Sequence, residues 1–167
     1  SNKTLDNILS YGEQLSNLIV YNCLKFKCNQ KIRQIDTRNC IVTDSNYGNA
    51  KVDFDKTEDN ITNLYKEDYN LNIVTGFIAA DSNSKTTTLG RGGGDYTAAI
   101  FGYCINADKV EIWTDVNGIM SSDPRKVNNA FSIPRISYKE MLELSHYGAN
   151  VIYTPTIIPL YKKRIPI

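Results

Sequence analysis

Four glycines bracket one arginine in Gly90-Arg91-Gly92-Gly93-Gly94, and the carboxylate of Asp95 follows at once. Glycine lets a backbone approach a ligand closely and adopt positive φ. A helix-like run over 97–107 comes next, and unpaired N–H groups at a helix start form an anion site. Arg91 adds a planar fork suited to a carboxylate or phosphate oxygen pair. Asp95 offers the opposite charge, which suits an ammonium group or a metal. Both signs within a few residues suit a zwitterion held beside a phosphate, the arrangement that phosphorylating an amino acid requires. The plainer alternative is a glycine-rich surface turn with a solvated salt bridge.

Three further groupings could carry chemistry. Glu111-Ile112-Trp113-Thr114-Asp115-Val116-Asn117-Gly118 reads as a strand that ends in Thr-Asp, where α/β sheets place ligands. Asp115 there either orients a nucleotide or metal-bound phosphate, or simply caps a loop. In Ser122-Asp123-Pro124-Arg125-Lys126, adjacent cations either hold phosphates or face solvent. Gly12-Glu13 lies inside a helical run. Glycine there costs about 1 kcal/mol relative to alanine, which points to close approach by a neighbour that Glu13 would face. An exposed glutamate is the alternative. The single histidine, His146, sits late in a helical run and reads as structural.

The elements that must position these residues follow from periodicity. Apolar residues recur at helical spacing over 5–24 (Leu5, Ile8, Leu9, Leu15, Leu18, Ile19, Tyr21), predicting a helix whose start Asp6 favours. Short extended runs are predicted at 31–36, 40–43 and 51–54, with a turn at Tyr47-Gly48-Asn49. A helix is predicted over 57–65 with its start at Thr57. A buried strand is predicted over 71–79 with Gly76 inside it, a polar turn over 81–85 and a short strand over 86–89. After the glycine loop come a strand over 110–114 and a loop over 117–129. A helix over 137–146 starts with a Ser137/Glu140 capping box and stops at Gly148. A strand over 151–153, a helix over 155–163 begun by proline, and a strand at 165–167 complete the reading. The alternation predicts an α/β layered domain with a largely parallel sheet.

Composition narrows the partners. The chain has 167 residues, a net charge of +1 and 41% hydrophobic residues, so it is one domain or part of one. The charge gives no pull toward nucleic acid or an anionic membrane. No apolar run approaches the roughly 18 residues of a membrane span. Cys23, Cys28, Cys40 and Cys104 form no CxxC pair, which predicts reduced, mostly buried thiols in a cytoplasmic protein. The stop inside a strand-like run leads us to expect a piece of a longer protein.

Taken together, these segments resemble the aspartokinases of the amino-acid kinase superfamily. The resemblance rests on Gly12-Glu13 with Leu15-Ser16, Thr75-Gly76-Phe77-Ile78, the run 86–96, the run 111–118 and Asp123-Pro124-Arg125. It continues through Ile136-Ser137-Tyr138, Glu143-Leu144, Tyr147-Gly148-Ala149, Pro155 and Ile165-Pro166-Ile167. It implies a three-layer αβα sandwich with a mainly parallel sheet, and ATP-dependent phosphorylation of the L-aspartate side-chain carboxylate. That reaction is the entry step to lysine, threonine and methionine. By the same resemblance, Arg91 would grip the non-reacting carboxylate, and Glu13 and Asp95 would face the ammonium group. Gly92 and Gly93 would offer backbone N–H groups to the substrate, and Gly94 would line it as well. Thr114, Asp115, Met120, Arg125, Asn150 and Val151 would contact ATP, with magnesium bridging phosphate oxygens.

The chain also departs from the family. It lacks the Lys-Phe-Gly-Gly strand whose lysine neutralises the transferring phosphate, and no regulatory ACT domain follows. The expectation is that 1–167 forms the C-terminal, ATP-binding part of a catalytic domain, inactive alone. The parent would be a homo-oligomer, either monofunctional or fused to homoserine dehydrogenase. Gly94 stands where the family usually has serine, Asn150 where it has a lysine that helps bind ATP, and Met120 where it often has an aromatic. Another amino-acid kinase and a non-catalytic nucleotide-binding module are the alternative functions.

Overall fold

Helix α1, Asn2–Lys27, contradicts its own amphipathic pattern. The helix forms where the apolar spacing predicts, yet the residues it buries are Asp6, Ser10 and Asn17. Leu5, Ile8, Leu9, Leu15, Leu18 and Ile19 are exposed. Of these three, Asp6 has specific partners on the sheet side, accepting hydrogen bonds from the backbone of Gly48 and Thr88, while Ser10 bonds within its own helix. The structure is a computed structural model. It describes residues 1–115, 118–123, 125–146 and 153–167, the side chains of 145 and 146 aside.

The remaining elements alternate as an α/β fold. Strands β1 (Ile32–Ile35) and β3 (Leu71–Val74) pair in parallel. A short 3-10 turn, Thr37–Asn39, leads into β2 (Val42–Thr43). Strand β2 pairs in parallel with β4 (Ile78–Asp81), and β4 pairs antiparallel with β5 (Thr86–Thr88). Helix α2 spans Phe54–Leu64, α3 Gly93–Cys104, α4 Tyr138–His146 and α5 Thr154–Lys163. Helix α1 lies along β1, β3 and β5, and α3 packs on α5. The core joins Ile35 and Ala79 of the strands to Ile61 of α2 and Ile100, Phe101 and Cys104 of α3. Each fully buried aliphatic side chain of this kind contributes about 1.5–3 kcal/mol.

Several boundaries differ from expectation, each for a local reason. The run 71–79 is two strands, broken at Thr75-Gly76-Phe77, where Phe77 takes φ +67. Helix α2 starts three residues early because Asp53, not Thr57, caps it by accepting from Lys56 N–H. Thr57 is buried within the helix and its hydroxyl accepts from Val42 N–H at 3.0 Å. Residue 54 is therefore helical, and only Val52 of the run 51–54 pairs, as a single bridge to Thr43. Residues 110–114 form no strand, and neither do 165–167. One bond, from Val110 N–H to Pro166 C=O, joins the two runs. The capping box is present: Glu140 accepts from Ser137 N–H at 2.8 Å, and Ser137 Oγ accepts from Glu140 N–H at 3.3 Å. The expected helix stop at Gly148 and most of the strand over 151–153 lie outside the described residues.

The four cysteines are not uniformly buried. Cys40 and Cys104 are buried, Cys28 is half-buried and Cys23 is exposed. Burial pushes the Cys40 and Cys104 thiols up to about 12. Only the thiolate reacts, so Cys23 is expected to label first with a disulfide reagent near pH 8. Cys40 and Cys104 should label only on denaturation. Timed labelling with peptide mapping checks this, and rapid modification of Cys104 in the native protein would contradict the packing of α3.

Candidate functional site

The glycine loop joins β5 to α3 within four residues, so its shape is set from both ends. Gly92 caps α3 in the left-handed region, φ 67 and ψ 16. The same residue lies under Tyr153, at the start of α5: a Cβ on Gly92 would sit 2.7 Å from Tyr153 Cβ. Gly93 is needed for space, since a Cβ there would meet Phe77 Cδ2 at 2.8 Å and Leu89 Cβ at 3.2 Å. Its N–H already donates to Gly90 C=O at 3.1 Å, so the expected substrate contact by this amide competes with a turn bond. Gly94 is exposed, and a Cβ there would meet nothing within 4 Å. Arg91 is exposed at the loop tip, and Asp95 is half-buried in the first turn of α3, where a helix favours negative charge.

Glu13 reaches this loop from α1. A Cβ on Gly76 would lie 3.2 Å from Gly94 Cα and 3.6 Å from Glu13 Oε2. The glutamate, the break after β3 and the first turn of α3 therefore meet at one point. Gly12, expected to be closely approached, is open: a Cβ there would meet nothing within 4 Å. The close approach is at Gly76 instead. The break itself is held firmly. Phe77 N–H donates to Thr97 Oγ1 at 3.0 Å, and Phe77 C=O accepts from Leu89 N–H at 2.9 Å. Thr37 and Thr75, both buried, share a hydroxyl contact of 2.7 Å, and Thr37 N–H donates to Thr75 Oγ1 at 2.9 Å.

The nucleotide candidates lie on another segment. Thr114 and Asp115 are exposed and adjacent, with Thr114 Oγ1 donating to Asp115 Oδ1 at 3.2 Å. Trp113 beside them is 90% exposed. Arg125 is engaged by Asp123 through its backbone N–H, Nε and Nη2. That guanidinium holds the Asp123 carboxyl below the usual range. Half-buried Met120 bridges to Ser132, whose hydroxyl donates to its sulfur at 3.3 Å. Asn150 and Val151 lie outside the described residues, as do Val116, Asn117, Pro124 and Tyr147-Gly148-Ala149. The structure thus brings Glu13 and Gly76 to Gly94, which lies between Arg91 and Asp95 along the chain. It joins this group to α5 through Tyr153.

Three residues at this place escaped the sequence reading. Gly76 was legible as a motif residue, but the apolar run around it reads as one continuous strand. Tyr153 gave no signal, because its contact with Gly92 spans sixty-one positions. Burial, and after it the Tyr153 phenol, push the hydroxyl of neighbouring Tyr96 above its ordinary value. Asp6 looked like an ordinary helix-start carboxylate. It is 1% exposed and accepts three hydrogen bonds.

Comparison with known proteins matches residues 2–167 to the amino acid kinase family. The chain is 41% identical over 160 residues to the bifunctional aspartokinase/homoserine dehydrogenase of Buchnera aphidicola, covering 95% of this chain and 20% of that protein. It is 35% identical over 164 residues to the lysine-sensitive aspartokinase 3 of Escherichia coli, covering 97% and 36% respectively. The crystal structure of E. coli aspartokinase III in complex with aspartate and ADP superposes with a TM-score of 0.90 at 34% identity. That match covers 99% of this chain and 37% of the other. The chain thus spans about a third or less of these relatives. A family match over almost every residue, and a shared α/β fold with parallel strand pairs, establish that this chain belongs to the amino acid kinase family.

Proposed function

We propose that this chain is the ATP-binding part of an aspartokinase catalytic domain. The full-length protein would transfer the γ-phosphoryl group of ATP to the side-chain carboxylate of L-aspartate. The observation that carries this reading is the meeting of Glu13 and Gly76 at Gly94, in the loop segment that also carries Arg91 and Asp95. It offers one cation for a carboxylate and two anions for an ammonium group on either side of a helix start. The E. coli aspartokinase III structure on which the chain superposes is a complex with aspartate and ADP.

In this reading Arg91 binds the α-carboxylate of the substrate, and Glu13 and Asp95 face its ammonium group. Gly92, Gly93 and Gly94 shape the loop around it, with Gly94 leaving room where a side chain would stand. The side-chain carboxylate oxygen then attacks the γ-phosphorus in line. The bond from that phosphorus to the bridging oxygen breaks, and ADP leaves with the electron pair. The product is 4-phospho-L-aspartate. Such catalysis rests on positioning and charge neutralisation rather than on a covalent enzyme intermediate.

The exposed hydroxyl and carboxylate of Thr114 and Asp115 suit nucleotide hydroxyls, and the Arg125 guanidinium suits a phosphate. Met120, Asn150 and Val151 complete the proposed nucleotide contacts. Magnesium would supply charge neutralisation between phosphate oxygens. In this reading the full-length protein is a cytoplasmic homo-oligomer.

A substrate panel on the full-length protein tests the reading. ATP turnover should depend on L-aspartate and yield an acyl phosphate that hydroxylamine traps. Turnover with another amino acid or a carbamate, but not with aspartate, would overturn it.

A further inference from the structure

We propose that Asp6 is a positioning residue for the amino-acid half of the site, holding α1 so that Glu13 stands against Gly76 and Gly94. The inference rests on the kinase reading above and adds a residue to it.

The geometry begins with the burial of a charge. Asp6 is 1% exposed, and its Oδ2 accepts from Gly48 N–H and Thr88 N–H, both at 2.9 Å. Its Oδ1 accepts from Thr88 Oγ1 at 3.0 Å. Burying a carboxylate is costly even with such partners, and an aliphatic side chain would hold a helix to a sheet more cheaply. What a carboxylate adds is direction: its two oxygens read two segments at fixed angles. Those segments are the turn around Gly48 and the end of β5. They are also joined to each other, since Ala50 N–H donates to Thr88 C=O at 2.9 Å.

Both segments border the glycine loop. Gly90, two residues after Thr88, takes φ +75, and a Cβ there would meet Asn49 Oδ1 at 2.8 Å and Gly48 C=O at 3.1 Å. Asp6 therefore fastens α1 to the two walls between which the loop leaves the sheet. Glu13 lies seven residues further along the helix, two turns on and on nearly the same face, about 10 Å away. A slip of α1 along the strands carries Glu13 with it. One other tether lies nearby, from Arg38 Nη2 to Gln14 Oε1 at 2.9 Å. That bond joins two side chains, whereas Asp6 grips backbone N–H groups.

The experiment uses the full-length protein and initial rates at varied L-aspartate and varied Mg-ATP. Asp6→Asn keeps the volume but turns one acceptor toward donors. Thr88→Val removes only the hydroxyl donor. Asp6→Asn should raise the KM for L-aspartate about tenfold, in line with the cost of displacing a binding group by a fraction of an ångström. The KM for Mg-ATP should stay within about twofold, since the nucleotide contacts lie on another segment. Thr88→Val should give the same selective rise at about threefold. A merely structural role gives a smaller folded fraction, which lowers kcat and leaves both Michaelis constants unchanged; that result, or equal rises in both, overturns the proposal. If Asp6→Asn does not fold, Thr88→Val decides alone, and an unchanged KM for L-aspartate counts against it. Wild-type protein that does not turn over aspartate would remove the functional reading and this proposal with it. Wild-type turnover with an unselective Asp6→Asn would remove the proposal only.

Discussion

Arg91→Ala in the full-length protein is expected to lower kcat/KM for L-aspartate by about 10- to 100-fold. One charge-assisted contact to a carboxylate contributes about 1.5–3 kcal/mol, and each 1.4 kcal/mol is tenfold in rate. The side chain is exposed at the loop tip, so removing it leaves no cavity in the core. The thermal midpoint should therefore hold while activity falls. Arg91→Lys keeps the charge but loses the planar fork, and should recover only part of the loss. Unchanged kcat/KM in a folded Arg91→Ala protein would refute the assignment of this loop to the substrate carboxylate.

Gly92→Ala is expected to destabilise the fold by about 2–6 kcal/mol, from two sources that act together. A left-handed backbone costs a non-glycine residue about 1–3 kcal/mol. The added methyl would also stand 2.7 Å from Tyr153 Cβ and 3.0 Å from its Cγ, atoms at the root of the side chain that cannot swing away. Overpacking of that kind costs about 1–3 kcal/mol. Denaturant melts of the full-length protein measure the sum. The contrast is Gly94→Ala, where the methyl would enter open space and the melt should scarcely move. Tyr153→Gly, which removes the Cβ along with the ring, combined with Gly92→Ala should recover the steric part and leave the backbone part. An additive double variant would show that the two residues do not press on each other.

How much of this could be read from the sequence depended on how local the cause was. The Ser137/Glu140 box, the proline at the start of α5 and the turn at Gly48 are short-range, and each formed as expected. The run 71–79 failed because its break at Phe77 is imposed by Thr97 and Leu89, which lie at least twelve positions away. The apolar run 110–114 reads as a strand, but it finds one backbone bond rather than a ladder. Helix α1 is the sharpest case. Its periodicity gave the right element and the wrong inward face, because the partners of Asp6 come from residues 48 and 88. In the candidate site, the glycine loop and Glu13 were visible as residue types at characteristic spacing. Gly76 was visible only as a motif residue and Tyr153 not at all, since their part is defined by what a Cβ would strike across the fold.

The way Asp6 is held has a consequence for ionic strength. Its recorded partners are two amide N–H groups and a hydroxyl, dipoles grouped around a group almost closed to solvent. Mobile ions screen exposed charges within roughly 10 Å at ordinary salt and have little purchase on a buried contact. The pairs Lys109–Glu111 and Arg125–Asp123, by contrast, are open to water, with Asp123 half-buried and the other three side chains exposed. Concentrated salt therefore acts unevenly on the molecule. It loosens the surface pairs flanking Thr114 and Asp115 while the seat of Glu13 keeps its geometry, so the two halves of the proposed site differ in halotolerance.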